Sequence, residues 1–324
     1  MLETFLQEIP AQALGKAQDL DMEIPYESCN KEINSLLGKT VFLGGKRLRP
    51  LLTFLMGQFF GVDEDRLEVC AQSIEMVHAA SLAHDDVVDN ASTRRGKDSI
   101  NAAASNKKAV LAGDYLLASV ITNLCKQESP VLVSEMSRVI MELAEGEWIQ
   151  LEAIDKKDYS VDLIRTIALK KTASVMSWCA VSPAIISNQE EEVVELAREF
   201  GVHLGLGFQL MDDTLDFGGN SQKDAHLDLE NGVISAVYFE WLNNHPEKLL
   251  AFKAGTELKD LYSQDGIQLA VESVKAQAHA NLDRAEEILH EIARKAKTNK
   301  SFEELERDLK PLSFILRFIG RRDF

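Results

Sequence analysis

Apolar residues recur at intervals of three and four along most of the chain, the spacing that places side chains on one face of an α-helix. One stripe of this kind consists of Leu51, Phe54, Leu55 and Phe59. A second stripe follows an acidic first turn and comprises Leu67, Ala71, Ile74, Val77, His78 and Ser81. No window shows the period-two alternation of β-branched residues that is typical of strands. The pattern predicts an all-α fold.

Other periodic segments predict a series of further helices. Their approximate ranges are 107–127, 129–154, 160–180, 189–217, 231–243, 266–297 and 301–319. The stretch 109–121 is almost entirely apolar, which is typical of a helix buried on most sides within a large bundle. There is no internal repeat of roughly 20–50 residues and no low-complexity linker. We therefore expect one all-α domain over 1–324, with an N-terminal helical segment at 1–34 and a core at 35–324.

Composition and charge narrow the class of protein. The chain carries 35 Lys and Arg against 52 Asp and Glu, a formal net charge of −17, and 45% of its residues are hydrophobic. This balance is that of a folded soluble protein, and the negative charge argues against a nucleic-acid partner. Uninterrupted apolar runs are shorter than the ~20 residues that span a bilayer, and acids stand where a signal peptide is basic. Because the four cysteines also show no CxxC spacing, we expect a cytoplasmic protein with no stable membrane anchor.

An acidic cluster ends an apolar stretch near the middle of the first half of the chain. Asp85 and Asp89 lie one helical turn apart and share a face, while Asp86 is rotated by about 100°. Two carboxylates about 5 Å apart repel by roughly 3 kcal/mol at an effective dielectric constant near 20. Such a pair favours a bound cation, and hard oxygen ligands are those that Mg²⁺ accepts. The alternative is an acidic helix end in solvent.

A second acidic cluster repeats the pattern. Asp212, Asp213 and Asp216 follow the apolar stretch 201–211, and the first and last of them again share a face. If the two helices lie side by side, both clusters face one cavity and form a multi-metal site for a polyanion. A solvated acidic surface accounts for one such cluster more easily than for two.

Basic and polar residues accompany both acidic clusters. The segment 44–50, GGKRLRP, opens a helix with two glycines and three cations, which suits a phosphate pocket at a positive helix end. Its spacing is not that of a Walker loop. Further candidates near the clusters are His78, Arg94, Arg95, Lys170, Lys171, Thr172 and Gln209, with Gln150 a weaker one. The alternatives are a solvated surface for the basic runs and a hydrogen-bonded core residue for His78.

Five motifs, in this order and spacing, resemble those of the trans-isoprenyl diphosphate synthases, or polyprenyl synthetases. They are GGKRLRP at 44–50, EMVHAASLAHDDVVDNASTRRG at 75–96, GDYLLA at 113–118, KKTAS at 170–174 and FQLMDDTLDF at 208–217. The resemblance extends from about residue 35 to the C terminus, and it is specific because five separate motifs agree. It implies a long-chain synthase with a helical bundle around a deep central cavity, acting as a homodimer.

Carried over residue by residue, the resemblance implies a role for each candidate. The expected Mg²⁺ ligands are Asp85, Asp89, Asp212 and Asp216, with Asp86 and Asp213 secondary. The expected ligands of the allylic diphosphate are Arg94, Lys171 and Lys223. The expected ligands of isopentenyl diphosphate are Lys46, Arg49, His78 and Arg95. Thr172 and Gln209 are expected to line the reacting centre. Catalysis is assigned to Asp85, Asp89, Lys171, Gln209 and Asp212.

The implied reaction is the Mg²⁺-dependent condensation of isopentenyl diphosphate with geranyl, farnesyl or geranylgeranyl diphosphate. Departure of pyrophosphate leaves an allylic carbocation, which the double bond of isopentenyl diphosphate attacks before a proton is lost. Side chains four, five and eight positions before Asp85 are Ser81, Ala80 and Val77, none of them a bulky aromatic. We therefore expect a long chain-length pocket and an all-trans product from hexaprenyl to decaprenyl diphosphate.

The stretch 222–237 departs from the family pattern and leaves two alternatives open. The family usually has a second lysine, a threonine and a proline in this stretch. This chain has Val233, Ser235 and Val237 at those positions. A missing cation is compatible with slow turnover, altered metal use or an unusual substrate. One alternative is a subunit of a heteromeric synthase with little activity alone, although the intact aspartate motifs argue against it. The other alternative is a class I terpene cyclase, which ionises a prenyl diphosphate without isopentenyl diphosphate. GGKRLRP and His78 argue against a cyclase, because a cyclase needs no second diphosphate pocket.

Overall fold

Helices form almost all of the regular structure in this computed structural model of the chain. The described residues are 8–22, 24, 31–42, 44–94, 96–217, 229 and 232–321. The N-terminal half contributes α1 Ala11–Gln18, α2 Lys31–Lys39, α3 Leu48–Phe60, α4 Glu64–Val88, α5 Ile100–Ala103, α6 Asn106–Cys125 and α7 Pro130–Lys156. The C-terminal half contributes α8 Val161–Ala168, the π-helical segment Leu169–Ala173 (the π-turn), α9 Ser174–Ile186, α10 Glu191–Leu215, α11 Ala236–Asn243, α12 Pro246–Lys253, α13 Leu258–Leu261, α14 Ile267–Lys295 and α15 Phe302–Gly320. The all-α prediction is confirmed.

A two-residue antiparallel hairpin interrupts the helices after α4. Its strands, β1 Thr93–Arg94 and β2 Lys97–Asp98, pair Thr93 with Asp98 and Arg94 with Lys97. Gly96 at the turn has a φ of +74°, a conformation that glycine adopts without steric cost. The sequence pattern missed this hairpin because strands of two residues carry no period-two signal.

Serine caps set the true starts of two predicted helices. The Ser160 side chain accepts a hydrogen bond from the backbone N–H of Leu163 at 3.1 Å, so α8 begins one residue later. The helix predicted at 231–243 begins at Ala236, because Ser235 occupies its N-cap with an extended backbone. The helix predicted at 160–180 is three elements, since the π-turn separates α8 from α9.

Contacts divide the chain into two compact units. The first unit comprises Met1–Ile140, Trp178–Val194 and Ala296–Pro311. The second unit comprises Met141–Ser177, Glu195–Lys295 and Leu312–Phe324. The single domain expected over 1–324 stays a prediction.

In the first unit, α4 packs along α3 and α6. A Cβ added to Gly57 of α3 would fall 2.2 Å from the side chain of Leu67, so glycine permits the close approach of α3 and α4. On α9, Trp178 donates its indole N–H to the backbone carbonyl of Cys70 at 3.3 Å. These contacts hold α4, whose C-terminal end carries the first acidic cluster.

In the second unit, α11 packs against α14 around a cluster of aromatic side chains. Tyr238 meets Phe217 and Tyr262 edge to face, with ring centroids 5.0 and 5.6 Å apart. The fully buried Trp241 donates its indole N–H to the carbonyl of Asp265 at 2.7 Å. Each such ring contributes large apolar burial. Phe217 directly follows the second acidic cluster, so this core anchors the chain there.

Within the described part of the chain, one helix, α6, is long and apolar enough by length and composition to cross a membrane. Its most apolar window has a mean hydropathy of 1.2, and 44% of that window is buried within the structure. Leu116 and Val120 are among its wholly buried side chains. One such helix is weak evidence for a span, because the core helix of a soluble protein passes the same test.

Candidate functional site

Both acidic clusters lie at the C-terminal ends of 25-residue helices. Asp85 is in the last turn of α4 and Asp89 is its C-cap, whereas Asp212 is in the last turn of α10 and Asp216 follows its last residue. Neither helix has a basic residue in its last turn. A carboxylate near the negative end of a helix dipole costs about 0.3–1 kcal/mol. Both ends therefore favour a bound cation.

Asp86 lies apart from the other aspartates of the first cluster, because its side chain is fully buried. One carboxylate oxygen, Oδ1, accepts a hydrogen bond from Nε of Arg94 at 2.8 Å and forms an ion pair with Nη2 of Arg94 at 2.6 Å. Its backbone carbonyl accepts from the Asn101 side chain and from the Ala91 N–H, both at 3.0 Å. Arg94, predicted to bind the allylic diphosphate, is thus attached to α4 through Asp86.

The segment 44–50 has a backbone that glycine makes possible. Gly44 and Gly45 have φ values of +71° and +94°, and Arg47 is left-handed at +49° as the N-cap of α3. Arg47 forms an ion pair with Glu75 of α4, with Nη1 3.2 Å from Oε1, and both side chains are nearly buried. This pair ties the start of α3 to α4. Sequence reasoning missed Glu75, whose only signal is a lone carboxylate within an apolar stretch.

The other predicted residues of the isopentenyl diphosphate pocket also lie in the first unit. Lys46 is exposed, while Arg49 and His78 are half-buried. Arg49 and Glu75 both act on Cys179. Burial raises the pKa of that thiol to about 12, and Arg49 opposes the rise. The structure thus brings Arg49 and Glu75 close to the same thiol. Arg95, the remaining residue predicted for this pocket, lies outside the described residues.

Lys171, predicted as the catalytic lysine, lies in the π-turn of the second unit. Its ammonium forms an ion pair with Glu147 and donates to Oε1 of Gln150 at 3.1 Å, both on α7. Its neighbour Lys170 pairs with Glu145 at 2.6 Å. π-helical turns are rare and concentrate at functional sites. Sequence reasoning singled out Gln150 and missed Glu147, which lies one turn before it.

A chain of hydrogen bonds connects the π-turn to the second acidic cluster. Thr172 donates its hydroxyl to Oε1 of Gln209 at 2.6 Å, and Nε2 of Gln209 donates to Oδ1 of Asp213 at 2.8 Å. The other oxygen of Asp213 accepts the backbone N–H of Ala236 at 2.8 Å. The structure therefore brings Thr172 and Gln209 together and gives Asp213 a structural role at the start of α11. That Thr172 and Gln209 line the reacting centre stays a prediction.

This arrangement explains two of the three departures in the stretch 222–237. Ser235 caps α11 in the place of the usual threonine, and both residue types suit an N-cap. Val237 is fully buried in the core of the second unit, so an apolar side chain fits where proline is usual. Val233 is half-buried, and nothing among the described residues explains the change from the usual lysine there. The predicted ligand Lys223 lies outside the described residues.

The residues predicted to line the chain-length pocket lie on α4. Val77 and Ala80 are buried, and the half-buried Ser81 donates its hydroxyl to the carbonyl of His78 at 2.9 Å. Their small size at buried positions is consistent with the prediction of a long product. The lining of the pocket itself stays a prediction.

The carboxylates fit Mg²⁺ as pairs. Among the described residues, no three His, Cys, Asp or Glu side chains form a group that could hold a metal ion. Mg²⁺ usually binds one or two protein carboxylates and completes its octahedron with water and substrate phosphate. Asp85 with Asp89, and Asp212 with Asp216, are such pairs of hard oxygen donors. The prediction that both pairs face one cavity stays a prediction.

Comparison with known proteins identifies the family. The family model described as Polyprenyl synthetase matches residues 30–291. A decaprenyl-diphosphate synthase of Dictyostelium discoideum is 35% identical over 236 residues, which are 71% of this chain and 51% of the relative. An octaprenyl diphosphate synthase of Haemophilus influenzae is 30% identical over 295 residues, which are 87% of this chain and 88% of the relative. The chain thus spans about half the length of the first of these relatives and most of the second.

A solved structure shares the fold. The crystal structure of a polyprenyl synthase from Caulobacter crescentus, complexed with calcium and isoprenyl diphosphate, superposes with a TM-score of 0.76. The match covers 99% of this chain and 98% of the other at 24% sequence identity. At that level of identity the likeness concerns the fold alone.

Proposed function

The chain belongs to the polyprenyl synthetase family, and we propose that it condenses isopentenyl diphosphate with an allylic diphosphate to give a longer all-trans polyprenyl diphosphate. The observation that carries this proposal is the placement of both aspartate pairs at helix C-termini without a basic residue in the last turn. Such ends attract cations, and a cation between carboxylates and phosphates is what the departure of pyrophosphate requires.

The metal we propose is Mg²⁺, bound as separate ions by two pairs of ligands, Asp85 with Asp89 and Asp212 with Asp216. Their oxygen donors suit a hard cation, and calcium accompanies isoprenyl diphosphate in the Caulobacter crescentus protein. Bound Mg²⁺ would neutralise the negative charge of the diphosphate and so make it a better leaving group.

In this proposal the basic residues fall into two sets, one for each substrate. Lys171 holds the allylic diphosphate, together with Arg94, and Thr172 and Gln209 lie next to the reacting carbons. Lys46, Arg49 and His78 hold isopentenyl diphosphate. The allylic carbon–oxygen bond breaks, the alkene carbon forms the new carbon–carbon bond, and the proton that is lost passes to the departed pyrophosphate. Buried apolar side chains such as Val77 keep water from the carbocation.

We propose a long product, hexaprenyl to decaprenyl diphosphate. The support is the small size of Val77, Ala80 and Ser81 on the helix that ends in the first acidic cluster. The names of the two relatives, a decaprenyl and an octaprenyl diphosphate synthase, point in the same direction. We also propose that the enzyme acts in the cytoplasm.

We propose that the enzyme is a homodimer. The helix α7 carries a stripe of exposed apolar side chains, in which Met141, Trp148 and Leu151 are 70%, 67% and 41% exposed. Spacings of seven and three place them on one face of the helix. An exposed apolar stripe of this kind is typical of a subunit interface. Trp148→Glu should convert the dimer to a monomer in light scattering, and a monomeric wild type contradicts the proposal.

The reaction is tested with purified protein, Mg²⁺ and labelled isopentenyl diphosphate, in parallel with geranyl, farnesyl and geranylgeranyl diphosphate. We expect a ladder of prenols that ends at one long product after the diphosphate is removed. At limiting Mg²⁺, Asp85→Asn should strongly reduce the ladder, whereas Asp98→Asn, an exposed acid on β2, should retain it. Release of pyrophosphate from the allylic substrate without incorporation would instead support a terpene cyclase.

A further inference from the structure

The ammonium of Lys171 is held by two acceptors from one turn of α7. Glu147 forms the ion pair and Gln150 accepts a hydrogen bond at 3.1 Å. The two acceptors are three residues apart, so they lie on the same face of α7. Glu147 is 16% exposed and Lys171 is 27% exposed, which shields the pair from much of the solvent. An ammonium has three N–H donors, so two acceptors leave one N–H for a ligand, in a direction set by the tetrahedral nitrogen.

Close backbone packing supports this contact. A Cβ added to Gly146 of α7 would fall 2.8 Å from Cβ of Lys170 and 2.8 Å from Cγ of Lys171. The stems of both lysines therefore lie directly against the backbone of α7. The π-turn, Leu169–Ala173, is what presents two consecutive lysines to this one turn of the neighbouring helix.

The adjacent pair, Lys170 with Glu145, provides an internal comparison. It has the same chemistry and an ordinary separation of 2.6 Å, but the Glu145 side chain is 59% exposed. Solvent-exposed pairs of this kind contribute little, because water and salt screen them. Two lysines side by side thus have carboxylate partners of very different burial.

We propose that Glu147 is a positioning residue: together with Gln150 it fixes the Lys171 ammonium so that its third N–H is presented to the diphosphate of the allylic substrate. This inference rests on the proposed function. Lysine has a long flexible stem, and an unheld ammonium would lose much rotamer freedom on binding. Ordering that side chain beforehand lowers the cost of binding the diphosphate.

The first test compares matched variants of the two glutamates. Glu147→Ala should raise KM for the allylic diphosphate about tenfold, a change equivalent to about 1.4 kcal/mol, with KM for isopentenyl diphosphate unchanged. Glu145→Ala should leave both constants within about twofold, because exposed pairs contribute little. Glu147→Gln retains the acceptor oxygen and should restore KM to within about threefold of the wild type. Thermal melting confirms that each variant is folded.

The second test asks whether Glu147 acts through Lys171. Binding of farnesyl thiolodiphosphate, which resists ionisation, is measured by calorimetry in Lys171→Met with and without Glu147→Ala. We expect no further loss in the double variant, the non-additivity of residues that act together. The proposal is overturned if Glu147→Ala weakens binding equally in the wild type and in Lys171→Met. Tighter binding in Glu147→Ala also overturns it, because Glu147 would then keep the Lys171 ammonium away from the diphosphate. Absence of product from the wild type concerns the proposed function instead, because the binding cycle needs no turnover.

Discussion

Arg94 holds a single carboxylate oxygen of Asp86 through a hydrogen bond from Nε at 2.8 Å and an ion-pair contact from Nη2 at 2.6 Å. Asp86 is fully buried, and its other oxygen has no hydrogen-bond partner within the described residues. A buried carboxylate held by one cation depends on that cation, since an uncompensated charge in the interior is strongly destabilising. Asp86 therefore stabilises the fold, whereas Asp85 and Asp89 of the same motif are the proposed metal ligands.

We expect Arg94→Gln to lower the free energy of unfolding by about 2–3 kcal/mol, below the 3–5 kcal/mol of a fully buried pair because Arg94 is 29% exposed. Asp86→Asn combined with Arg94→Gln should recover part of the loss, because the buried charge is then absent. Urea denaturation followed by circular dichroism measures both. An unchanged midpoint in Arg94→Gln would show that the pair is dispensable for folding.

Substitutions at the aspartates of the first motif should also differ in their effect on the Mg²⁺ concentration that activity requires. Asp85→Asn should raise the Mg²⁺ concentration needed for half-maximal activity while the stability of the apoprotein is unchanged or increased, because a carboxylate leaves the negative end of α4. Asp86→Asn should lower stability and leave the Mg²⁺ dependence close to that of the wild type. Activity titrated with Mg²⁺ at fixed substrate distinguishes them. Equal shifts in Mg²⁺ dependence would contradict the division of roles.

Alkaline pH should destabilise the first unit through the buried thiols of Cys70 and Cys179. Burial raises the pKa of Cys70 and of Cys179 from 9.0 to about 12. Because the unfolded thiols ionise first, stability is fully present below pH 9 and is lost between pH 9 and 12 by at most about 1.4 kcal/mol per pH unit for each thiol. Cys70→Ala with Cys179→Ala should flatten this slope. Urea denaturation at several pH values measures this dependence of the free energy of unfolding on pH.

The same burial predicts the reactivity of the thiols. At pH 8, iodoacetamide should label the exposed Cys125 and leave Cys70 and Cys179 unmodified in the folded protein. The protein is then unfolded in denaturant with isotopically labelled iodoacetamide, and peptide mapping identifies the two thiols that were protected in the folded state. Rapid labelling of Cys70 in the native protein would contradict its burial.

Gly205 sets the distance between α10 and the π-turn. A Cβ there would fall 2.5 Å from the Cα of Ala173, which is backbone and cannot rotate away. Gly205→Ala should therefore cost about 1–3 kcal/mol of stability and lower kcat, because the bond between Thr172 and Gln209 must lengthen. Gly15→Ala is the matched control, since a Cβ in that helix meets nothing within 4 Å and should stabilise by up to about 1 kcal/mol. Equal melting temperatures for both variants would contradict the tight contact.

The local parts of the fold were accessible from the sequence because they depend on periodicity and caps. The helix predicted at 107–127 is Asn106–Cys125, and the acidic motifs end α4 and α10, as their apolar stretches indicated. The π-turn was not accessible from the sequence, because two consecutive lysines give the same sequence pattern in an α-helix and in a π-helical turn. The partners of those lysines were missed for another reason. Glu147 precedes Lys171 by 24 residues, and nothing in the spacing of either helix indicates that they meet.

Product length offers the sharpest test of the pocket on α4. Ser81→Phe should shorten the product, because a phenyl ring one turn before Asp85 would block the growing chain. Ser81 is half-buried, whereas Ala80 has no exposed surface. Ala80→Phe therefore risks overpacking that costs about 1–3 kcal/mol, and its product is read only if the melting temperature is kept. Ser81→Ala, which removes only the bond to the His78 carbonyl, is the control and should keep the long product. An unchanged ladder in Ser81→Phe would mean that the chain grows along another face of α4.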